Sequence, residues 1–548
     1  MPYLRYLLGE GVRSGAIQRE DEDWALATAA HGADLMADVK HLSGKVAYKN
    51  YGSALRDREA VTCALRKRVD RGQSLGPYLW EGADALPFES ARVVPLGSVR
   101  KRLEPDVARP ISDHSATGLN SCIPHLPMRM EGLVRIEQHL QPGGYIGVMD
   151  VEDAFPSLRI KPMYWKYMLV KWWNVYDRTD PNEYLYVTIC GDFGVSSLPW
   201  IWSHFLGIII SCATCFGIQR PVSSYLDDLT HMDKSKVKVD MNMDKLAVVL
   251  KKVGLQEKLL KRKDSSQLQE VLGAQFRTLP TLQKGLPAAK VALLVSDARD
   301  LLSAVGGKVT LAAVQAYTGL AMWCTDAMPP YTRVHLGGLL AMRRGFPSTA
   351  QPHHRRRMTA RARRGLTWLV RFLETWCGWC EVYNVHRPRA QAHALYTDAS
   401  GGNRGGGGYW TEEGVWNLWR HTTAQRDQMI AWLELHAVRR ACMELGETWR
   451  GKAVPLMIDN KTAKGCLRRC WSASSPLMDL LEHIQQLATQ HDFVLVPHWI
   501  ASADNPLADA LSRHCMSRFW SEVANLGVAA QASSQTCQRT RRNCELRA

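Results

Sequence analysis

The 548-residue chain lacks a long uninterrupted apolar run. The longest extends from about Phe205 to Ile218, and Ser211 and Thr214 interrupt it. A membrane-spanning helix needs roughly 20 consecutive apolar residues, so we expect no membrane partner. We also expect no secretory signal, because residues 3–8 form only a short apolar patch without a cleavage-site pattern.

Cysteine is sparse for a disulfide scaffold, since the 14 cysteines are scattered singly along the chain. This distribution suits a reducing compartment, so we expect an intracellular protein, cytoplasmic or nuclear. One close pair, Cys377 and Cys380, has the spacing of half a zinc site or a redox motif. No second pair follows it, and we favour unreactive thiols.

Acidic residues are too few to balance the basic ones. The chain has 69 Lys and Arg against 53 Asp and Glu, a net charge of +16. This excess predicts a polyanionic partner. Arginine is densest over residues 343–371, which is either a solvated helix face or a phosphate-contacting surface. On the second interpretation, Arg355, Arg356 and Arg357 are predicted to bind nucleic acid.

Two apolar runs end in aspartate. Residues 145–149 predict a buried strand that ends at Asp150, and residues 224–229 predict a tight hairpin that carries Asp227 and Asp228. Alone, the Asp pair is more typical of an ordinary turn than of a catalytic site. Carboxylates brought together repel each other unless divalent cations lie among them, and two metal ions suit an in-line phosphoryl displacement. We therefore predict that the three are catalytic ligands of two Mg²⁺ ions, for which Mn²⁺ can substitute.

The order of these motifs resembles the reverse transcriptases of retroelements over about residues 90–276. The matching segments include VVPLGSVRKRLEPDVARP from residue 93, FGVSSLPWIWSHF at 193–205, YLDD at 225–228 and VLGAQF at 271–276. The helical pattern at 286–323 is similar to the thumb and connection of DIRS-like elements. The resemblance implies an α+β right-hand polymerase with fingers, palm and thumb.

The same resemblance implies a set of nucleotide-binding residues: Lys101, Arg109, Asp153, Phe155, Ser197, Pro199 and Lys261. Fixed cations such as Lys101 and Arg109 suit a triphosphate. Phe155 would be the aromatic gate under the sugar, although a core phenylalanine has the same sequence appearance. Lys261 aligns with a lysine that the family has after the hairpin, and Lys258 and Lys263 are alternative candidates for the same position.

Four further acids lie beyond the Arg-rich stretch. Asp398 and Asp459 each end a predicted strand, Glu434 lies on an amphipathic helix, and Asp509 follows a helix start at Asn505. Each alone is typical of a surface or capping group. Together they resemble the RNase H of retroelements over 393–513, which implies an α/β domain with two catalytic Mg²⁺ ions.

We therefore predict an RNA- and DNA-directed DNA polymerase with ribonuclease H activity, related to DIRS-like or LTR-retrotransposon elements. Its partners would be an RNA template, a DNA primer, an RNA–DNA hybrid, dNTPs, and other retroelement proteins such as a recombinase, integrase or capsid. The alternative is a decayed or domesticated copy that binds nucleic acid without catalysis. The expected divisions are an N-terminal helical extension at 1–60, fingers and palm at 61–276, thumb and connection at 277–390, an RNase H-like domain at 391–515 and a disordered basic tail at 516–548.

Overall fold

The structure is a computed structural model that describes residues 1–101, 104–128, 130–403, 405–528 and 530–532, without the side chains of 101, 104–107 and 532. The chain folds as two compact units. The first comprises Met1–Leu272 and Phe276–Thr281. The second comprises Gly273–Gln275 and the chain from Leu282 onward.

The first unit combines helices with two main sheets. Its helices are α1 Pro2–Arg13, α2 Arg19–His31, α3 Gly52–Arg56, α4 Arg58–Asp70, α5 Leu133–His139, α6 Leu198–Ala213 and α7 Lys236–Lys252. Its strands are β1 Lys45–Ala47, β2 Ser74–Leu79, β3 Ala91–Val94, β4 Leu96–Lys101, β5 Glu104–Ser112, β6 Tyr145–Asp150, β7 Leu169–Trp173, β8 Glu183–Thr188, β9 Ser223–Tyr225, β10 Asp228–Asp233, β11 Lys263–Ser266 and β12 Leu268–Val271, with β13 Ala274–Arg277 at the unit boundary. One sheet has the order β1-β3-β7-β8-β2, and the other, β11-β6-β10-β9, is antiparallel.

Helix α6 lies in the core of the first unit, where Ile201, Trp202 and Leu206 are fully buried. With the turn that follows, it forms the 19-residue stretch Leu198–Phe216, which is long and apolar enough to cross a membrane. The apolar stretch is therefore longer than the sequence run suggested. Since 56% of it is buried inside the fold, the stretch has the character of a core helix.

The N-terminal residues belong to the first unit. Leu7 and Leu8 of α1 are fully buried in the same core as α6, and Trp24 of α2 packs its ring edge-on against His204, 4.6 Å away. Strand β1 pairs in parallel with β3. The predicted helical extension at 1–60 thus also contributes a strand to a sheet.

The second unit contains a helical part followed by a mixed sheet. Its helices are α8 Ala288–Leu302, α9 Leu311–Thr325, α10 Gly337–Arg344, α11 Ala360–Thr375, α12 Thr423–Arg426, α13 Ile430–Leu445, α14 Lys461–Arg469, α15 Ser475–Gln490, α16 Pro506–Ser512 and α17 Met516–Leu526. Its strands are β14 Gln283–Gly285, β15 Lys308–Thr310, β16 Arg355–Arg357, β17 Trp379–Glu381, β18 Ala390–Gln391, β19 Leu395–Ala399, β20 Gly406–Thr411, β21 Val415–Arg420, β22 Lys452–Ile458, β23 Val494–Trp499 and β24 Gln531–Ala532.

The mixed sheet places strand ends of different segments side by side. Its order is β18-β22-β19-β20-β21-β24, and β23 pairs with β22. Strands β19, β20 and β21 are antiparallel, whereas β19, β22 and β23 are parallel. Because β19 and β22 run in the same direction, their carboxyl ends meet at one edge of the sheet.

The prediction of a disordered tail from residue 516 is wrong for its first part. Helix α17 places Phe519 and Val523 one turn apart on an apolar stripe. Phe519 is fully buried, with its ring 5.1 Å from that of Trp416. Burial of such a side chain stabilises a fold by roughly 1.5–3 kcal/mol. Residues 533–548 lie outside the described part of the chain.

Candidate active sites

Strands β6 and β10 bring the first three predicted acids together. Asp228 lies directly opposite Asp150 in the antiparallel register. The hairpin between β9 and β10 is tight, and Leu226 adopts a left-handed conformation with φ of 55°. Asp150, Asp227 and Asp228 each offer a carboxylate oxygen, and these oxygens lie within 4.8 Å of one another.

Burial and repulsion between like charges raise the pKa values of Asp227 and Asp228, so these two carboxylates are reluctant to ionise. Burial, together with the charges of Asp227 and Asp150, raises the pKa of Asp228 to about 6. Burial and Asp150 also raise the pKa of Asp227. Removing a carboxylate from water and placing like charges beside it both disfavour its charged form. A divalent cation would relieve this repulsion.

Lys261 is the lysine that reaches the acids. Its Nζ donates a hydrogen bond to the carboxylate of Asp150. Burial opposes its charge, but Asp150 outweighs that effect and the pKa of Lys261 is raised. Lys258 contacts Asp150 only through its backbone N–H, and Lys263 donates to the carbonyl of Glu270. Of the three lysines that the sequence allowed, Lys261 is therefore the one whose side chain contacts the acids.

The remaining predicted nucleotide contacts lie around this trio. Arg109 is exposed on β5, and its charge offsets a small part of the rise in the pKa of Asp227 that burial and Asp150 cause. Lys101 ends β4, but its side chain falls outside the described part. Pro199 is half-buried in the first turn of α6. Ser197 is fully buried, and its hydroxyl has no hydrogen-bond partner among the described residues.

Phe155 follows a strained turn. Asp153 is left-handed, with φ of 49°, and Phe155 begins a short 3₁₀ helix, Phe155–Ser157. Phe155 is 7% exposed and packs its ring 5.1 Å from that of the half-exposed Phe193. The ring is therefore at the edge of the core. This position is compatible with either predicted role for Phe155, gate or core residue.

A buried ion-pair network beside this turn was not predicted from the sequence. Asp192 is 1% exposed, and it accepts from Arg68 Nη1 at 2.7 Å. Its other oxygen lies 3.2 Å from Nε2 of His114, which is fully buried. Burial opposes ionisation, but Arg68 and His114 outweigh it and hold the pKa of Asp192 far below its usual range. No local motif joins these residues, because they are separated by up to 124 positions.

The mixed sheet of the second unit assembles a second trio. Asp398 lies near the end of β19, Asp459 follows β22, and Glu434 projects from α13. One carboxylate oxygen of each lies within 4.8 Å of the others. Burial, with Asp459 and Asp509 nearby, raises the pKa of Asp398 to about 6. Burial and Asp398 raise the pKa of Glu434 well above its usual value.

The second trio has an incomplete hydrogen-bond network. Oε2 of Glu434 is buried and has no hydrogen-bond partner among the described residues. Asp459 Oδ2 accepts from the hydroxyl of Ser502 at 2.6 Å. A buried carboxylate oxygen without a donor is costly, and a cation among the three acids would satisfy it. Hard carboxylate oxygens are the ligands that Mg²⁺ prefers, so both trios fit this metal.

Asp509, the fourth predicted acid, is held by arginines. Its two oxygens accept from Arg513 Nε and Arg518 Nη1, each at 2.6 Å. It therefore lies outside the trio in this structure, although its charge still acts on Asp398. Asn505 precedes α16 as predicted, but its side chain donates to the carbonyl of Thr397 at 3.0 Å and does not cap the helix.

Within the described residues, the two trios are the groups of three or more acids, histidines or cysteines close enough to share a metal ion. Neither includes Cys377 or Cys380. The Cys377 thiol donates to the carbonyl of Trp379, and Cys380 to that of Ala327. The CxxC pair therefore has no metal cluster around it in this part of the chain.

The structure separates the three predicted nucleic-acid-binding arginines. Strand β16 pairs with β15, and Arg356 donates to the carbonyl of Gly345 just after α10. Arg355 and Arg357 are exposed, and neither forms an ion pair with a described acid. Since neighbouring strand residues point to opposite faces, Arg355 and Arg357 share a face that Arg356 does not.

Comparison with known proteins gives only distant likenesses. No family model and no curated protein match the chain. Three solved structures of foamy viral protease-reverse transcriptase are similar to it. The dRH form with double-stranded DNA has 13% identity and a TM-score of 0.47, covering 91% of this chain and 81% of that one.

The form with an RNA/DNA hybrid has 14% identity and a TM-score of 0.49, covering 91% of this chain and 62% of that one. The form with double-stranded DNA has 13% identity and a TM-score of 0.45, with coverages of 90% and 96%. Since these scores lie below 0.5, assignment of a function rests on the two carboxylate sites.

Proposed function

We propose that the chain is a bifunctional enzyme, an RNA- and DNA-directed DNA polymerase joined to a ribonuclease H, acting inside the cell. The first unit would contain the fingers and palm of a right-hand polymerase, and the second the thumb, connection and nuclease. The observation that supports this proposal best is the presence of two carboxylate trios, one in each unit, each within 4.8 Å. A site that makes an RNA–DNA hybrid and a site that removes its RNA form one reaction sequence.

At the first site, Asp150, Asp227 and Asp228 would hold two Mg²⁺ ions. Bound there, the metal ions would supply Lewis acidity for the attacking 3′-hydroxyl and the leaving pyrophosphate. Lys261 fixes the carboxylate of Asp150 before any ligand arrives. Arg109 lies close enough to act on Asp227 electrostatically, so a triphosphate at the acids would meet its positive charge.

The turn after Asp150 would complete the nucleotide pocket. A left-handed residue such as Asp153 lets successive backbone N–H groups point to one side, an arrangement that binds anions. Phe155 would lie under the sugar and exclude a 2′-hydroxyl. Ser197 is buried, so it would shape this pocket from within the fold, and Pro199 would do so from the first turn of α6.

At the second site, Asp398, Glu434 and Asp459 would hold the metals that serve RNA cleavage. Glu434 brings an oxygen that no described donor satisfies. Asp509 would join them after Arg513 and Arg518 release it. The phosphates of a bound hybrid would compete with Asp509 for these two arginines.

A two-step assay tests the proposal. The purified chain, an RNA template and a labelled DNA primer are incubated with dNTPs and Mg²⁺, or with Mn²⁺ in parallel. We expect primer extension followed by shortening of the RNA strand, with both lost in EDTA. Binding of the hybrid without either reaction would instead identify a domesticated nucleic-acid-binding protein.

A further inference from the structure

The end of helix α4 carries two arginines on one face. Arg68 lies in the last turn of the helix and Arg71 directly follows it. Residues three positions apart lie side by side on a helix surface. Both guanidinium groups leave α4 and contact acids that lie more than 80 positions further along the chain.

Arg68 contacts the loop that leads into α6. Its Nη1 donates to Asp192 at 2.7 Å, and Nε2 of His114 lies 3.2 Å from the other oxygen of the same carboxylate. Gly194, two residues further on, has φ of 112°, and a Cβ there would lie 2.2 Å from the carbonyl oxygen of Ser112. The loop is therefore fixed both by a buried charge and by a close backbone approach.

Arg71 contacts the turn that follows Asp150. It donates to Glu152 Oε1 at 2.9 Å and also to the carboxylate of Asp153. Gln73 adds a longer hydrogen bond to Asp153, at 3.4 Å. Asp153 is the left-handed residue of this turn. A non-glycine residue in that conformation needs outside contacts to hold it. Arg71 makes the shortest of these contacts, and Nζ of Lys67 approaches the same carboxylate at 3.9 Å.

The loop and the turn touch each other at Phe155. The ring of Phe155 lies 5.1 Å from that of Phe193. A Cβ on Gly191 would lie 2.4 Å from the carbonyl oxygen of Phe155, so the two backbones are in close contact. The two segments that α4 grips are thus the two that enclose this ring.

We propose that Arg68 and Arg71 are positioning residues that clamp the two walls of the nucleotide pocket to α4. The inference rests on the proposed polymerase function and assigns residues that no motif indicated. With the clamp intact, the turn at Asp153 and the ring of Phe155 are preset for the incoming nucleotide. Without it, the turn relaxes and the pocket must be ordered by the nucleotide itself, which weakens nucleotide binding.

Arg71→Ala is the variant of choice. The Arg71 side chain is 38% exposed. After its loss Glu152 and Asp153 remain partly exposed and 3.9 Å from Nζ of Lys67, so neither becomes a buried unpaired charge. Arg68→Ala would instead leave Asp192 buried and unpaired, which destabilises a fold strongly. Arg66→Ala is the matched control on the same helix, because Arg66 pairs only with Asp70 among the described acids.

Single-nucleotide extension should show a raised KM for dNTP in Arg71→Ala, roughly tenfold, with kcat changed far less. Discrimination between ribo- and deoxynucleotides should fall as well. Arg71→Lys should restore part of the KM, and Arg66→Ala should match the parent chain. Amide hydrogen exchange over 152–157 should accelerate in Arg71→Ala while exchange over 395–399 stays the same.

An unchanged KM, or equal losses of kcat and thermal stability with no change in KM, would overturn the clamp. Unchanged exchange over 152–157 would overturn it too. If the parent chain extends no primer with either metal, the proposed function fails instead. In that case faster exchange in Arg71→Ala still supports the clamp, and unaltered exchange removes it.

Discussion

Each of the two carboxylate sites brings oxygens of three acids within 4.8 Å of one another, but the sites differ in the cations around them. At the first, Lys261 donates directly to Asp150. At the second, no Lys or Arg among the described residues forms an ion pair with Asp398, Glu434 or Asp459. Arg513 and Arg518, the arginines near the second trio, form ion pairs with Asp509 instead.

This difference shows two ways to keep like charges together in a protein. In the first trio, the ammonium group of Lys261 partly neutralises the charge. It pairs with the buried Asp150, while Asp227 and Asp228 are partly exposed. In the second trio, Ser502 donates to Asp459, Asp398 and Glu434 are buried, and Glu434 retains an oxygen without a described donor. We therefore expect the second site to depend more on its metal for stability, while the first depends on its lysine.

The largest expected effect is the separation of the two activities. Asp228→Asn removes a ligand oxygen's charge from the first trio and should reduce DNA synthesis by roughly a thousandfold or more, leaving hybrid cleavage intact. Glu434→Gln should do the reverse. Primer extension and RNA cleavage are measured on the same preparations. If either variant, still folded, loses both activities, the sites do not act independently.

Phe155→Val should alter the first site alone. Loss of the ring removes the barrier to a ribose hydroxyl, whose unpaired burial costs roughly 1–3 kcal/mol. Ribonucleotide incorporation should therefore rise about tenfold to a few hundredfold relative to deoxynucleotides. Single-nucleotide kinetics measure the ratio, and hybrid cleavage is the internal control.

A core role for Phe155 makes a different prediction for the same variant. The side chain is 7% exposed, so Val would leave a cavity and lower the melting temperature. An unaltered ribo/deoxy ratio together with reduced stability would assign Phe155 to the core only.

Glu434→Gln should stabilise the metal-free protein. The raised pKa of Glu434 means that its ionised form is disfavoured in the fold, so stability falls as pH rises from the unfolded pKa through the folded pKa. The amide carries no charge and should add about 1–3 kcal/mol in EDTA at pH 8. The gain should vanish at low pH, where Glu434 is protonated.

Thermal melts in EDTA at several pH values measure this effect. Asp150→Asn is the matched change at the first site, and it should bring no such gain, because it leaves Lys261 without its carboxylate. Equal gains at both sites would show that the lysine does not distinguish them.

Lys261→Met should move the pH profile of synthesis but not that of cleavage. Without the cation, the pKa values of Asp227 and Asp228 rise further, so these acids stay protonated to higher pH. Since metal binding requires ionised carboxylates, the acidic limb should shift upward by roughly one pH unit. Rates at pH 6 should fall more than rates at pH 8, because the pKa of Asp228 is already about 6.

Lys258→Met is the control for this prediction, since only the backbone of Lys258 contacts Asp150. A parallel shift of the cleavage profile, or an equal shift in the control, would contradict the special role of Lys261 at the first site.

The smallest expected effect concerns nucleic-acid affinity in the second unit. Replacing Arg355 and Arg357 with Ala should reduce the salt slope of duplex binding by about 0.9 per lost phosphate contact. Arg356→Ala should leave the slope unchanged and lower the melting temperature, because Arg356 holds Gly345. Anisotropy titrations over a range of salt measure the slope, and equal slopes in all variants would place this ribbon away from the duplex.

Local pattern predicted the strands and the helix that carry the acids of the two trios, whereas their order along the chain grouped them into two sites. An apolar run that ends in aspartate predicts β6, a strand ending in aspartate is predicted at β19, and an apolar stripe predicts the helix of Glu434, because these patterns depend on neighbours only a few residues away. The helix start at Asn505 was predicted from its capping preference, and α16 begins directly after it, although the Asn505 side chain does not cap the helix. The hairpin at Asp227 and Asp228 is confirmed as well.

Tertiary structure decided the rest. Which lysine reaches Asp150, which arginine holds Gly345, and the placement of Asp509 between Arg513 and Arg518 all depend on side chains meeting after the chain has folded. The clamp of Arg68 on Asp192 joins residues 124 positions apart. Sequence periodicity indicates which face of an element is buried, but it does not indicate what covers that face. Charged partners 124 positions apart form no local motif, so the sequence alone does not pair them.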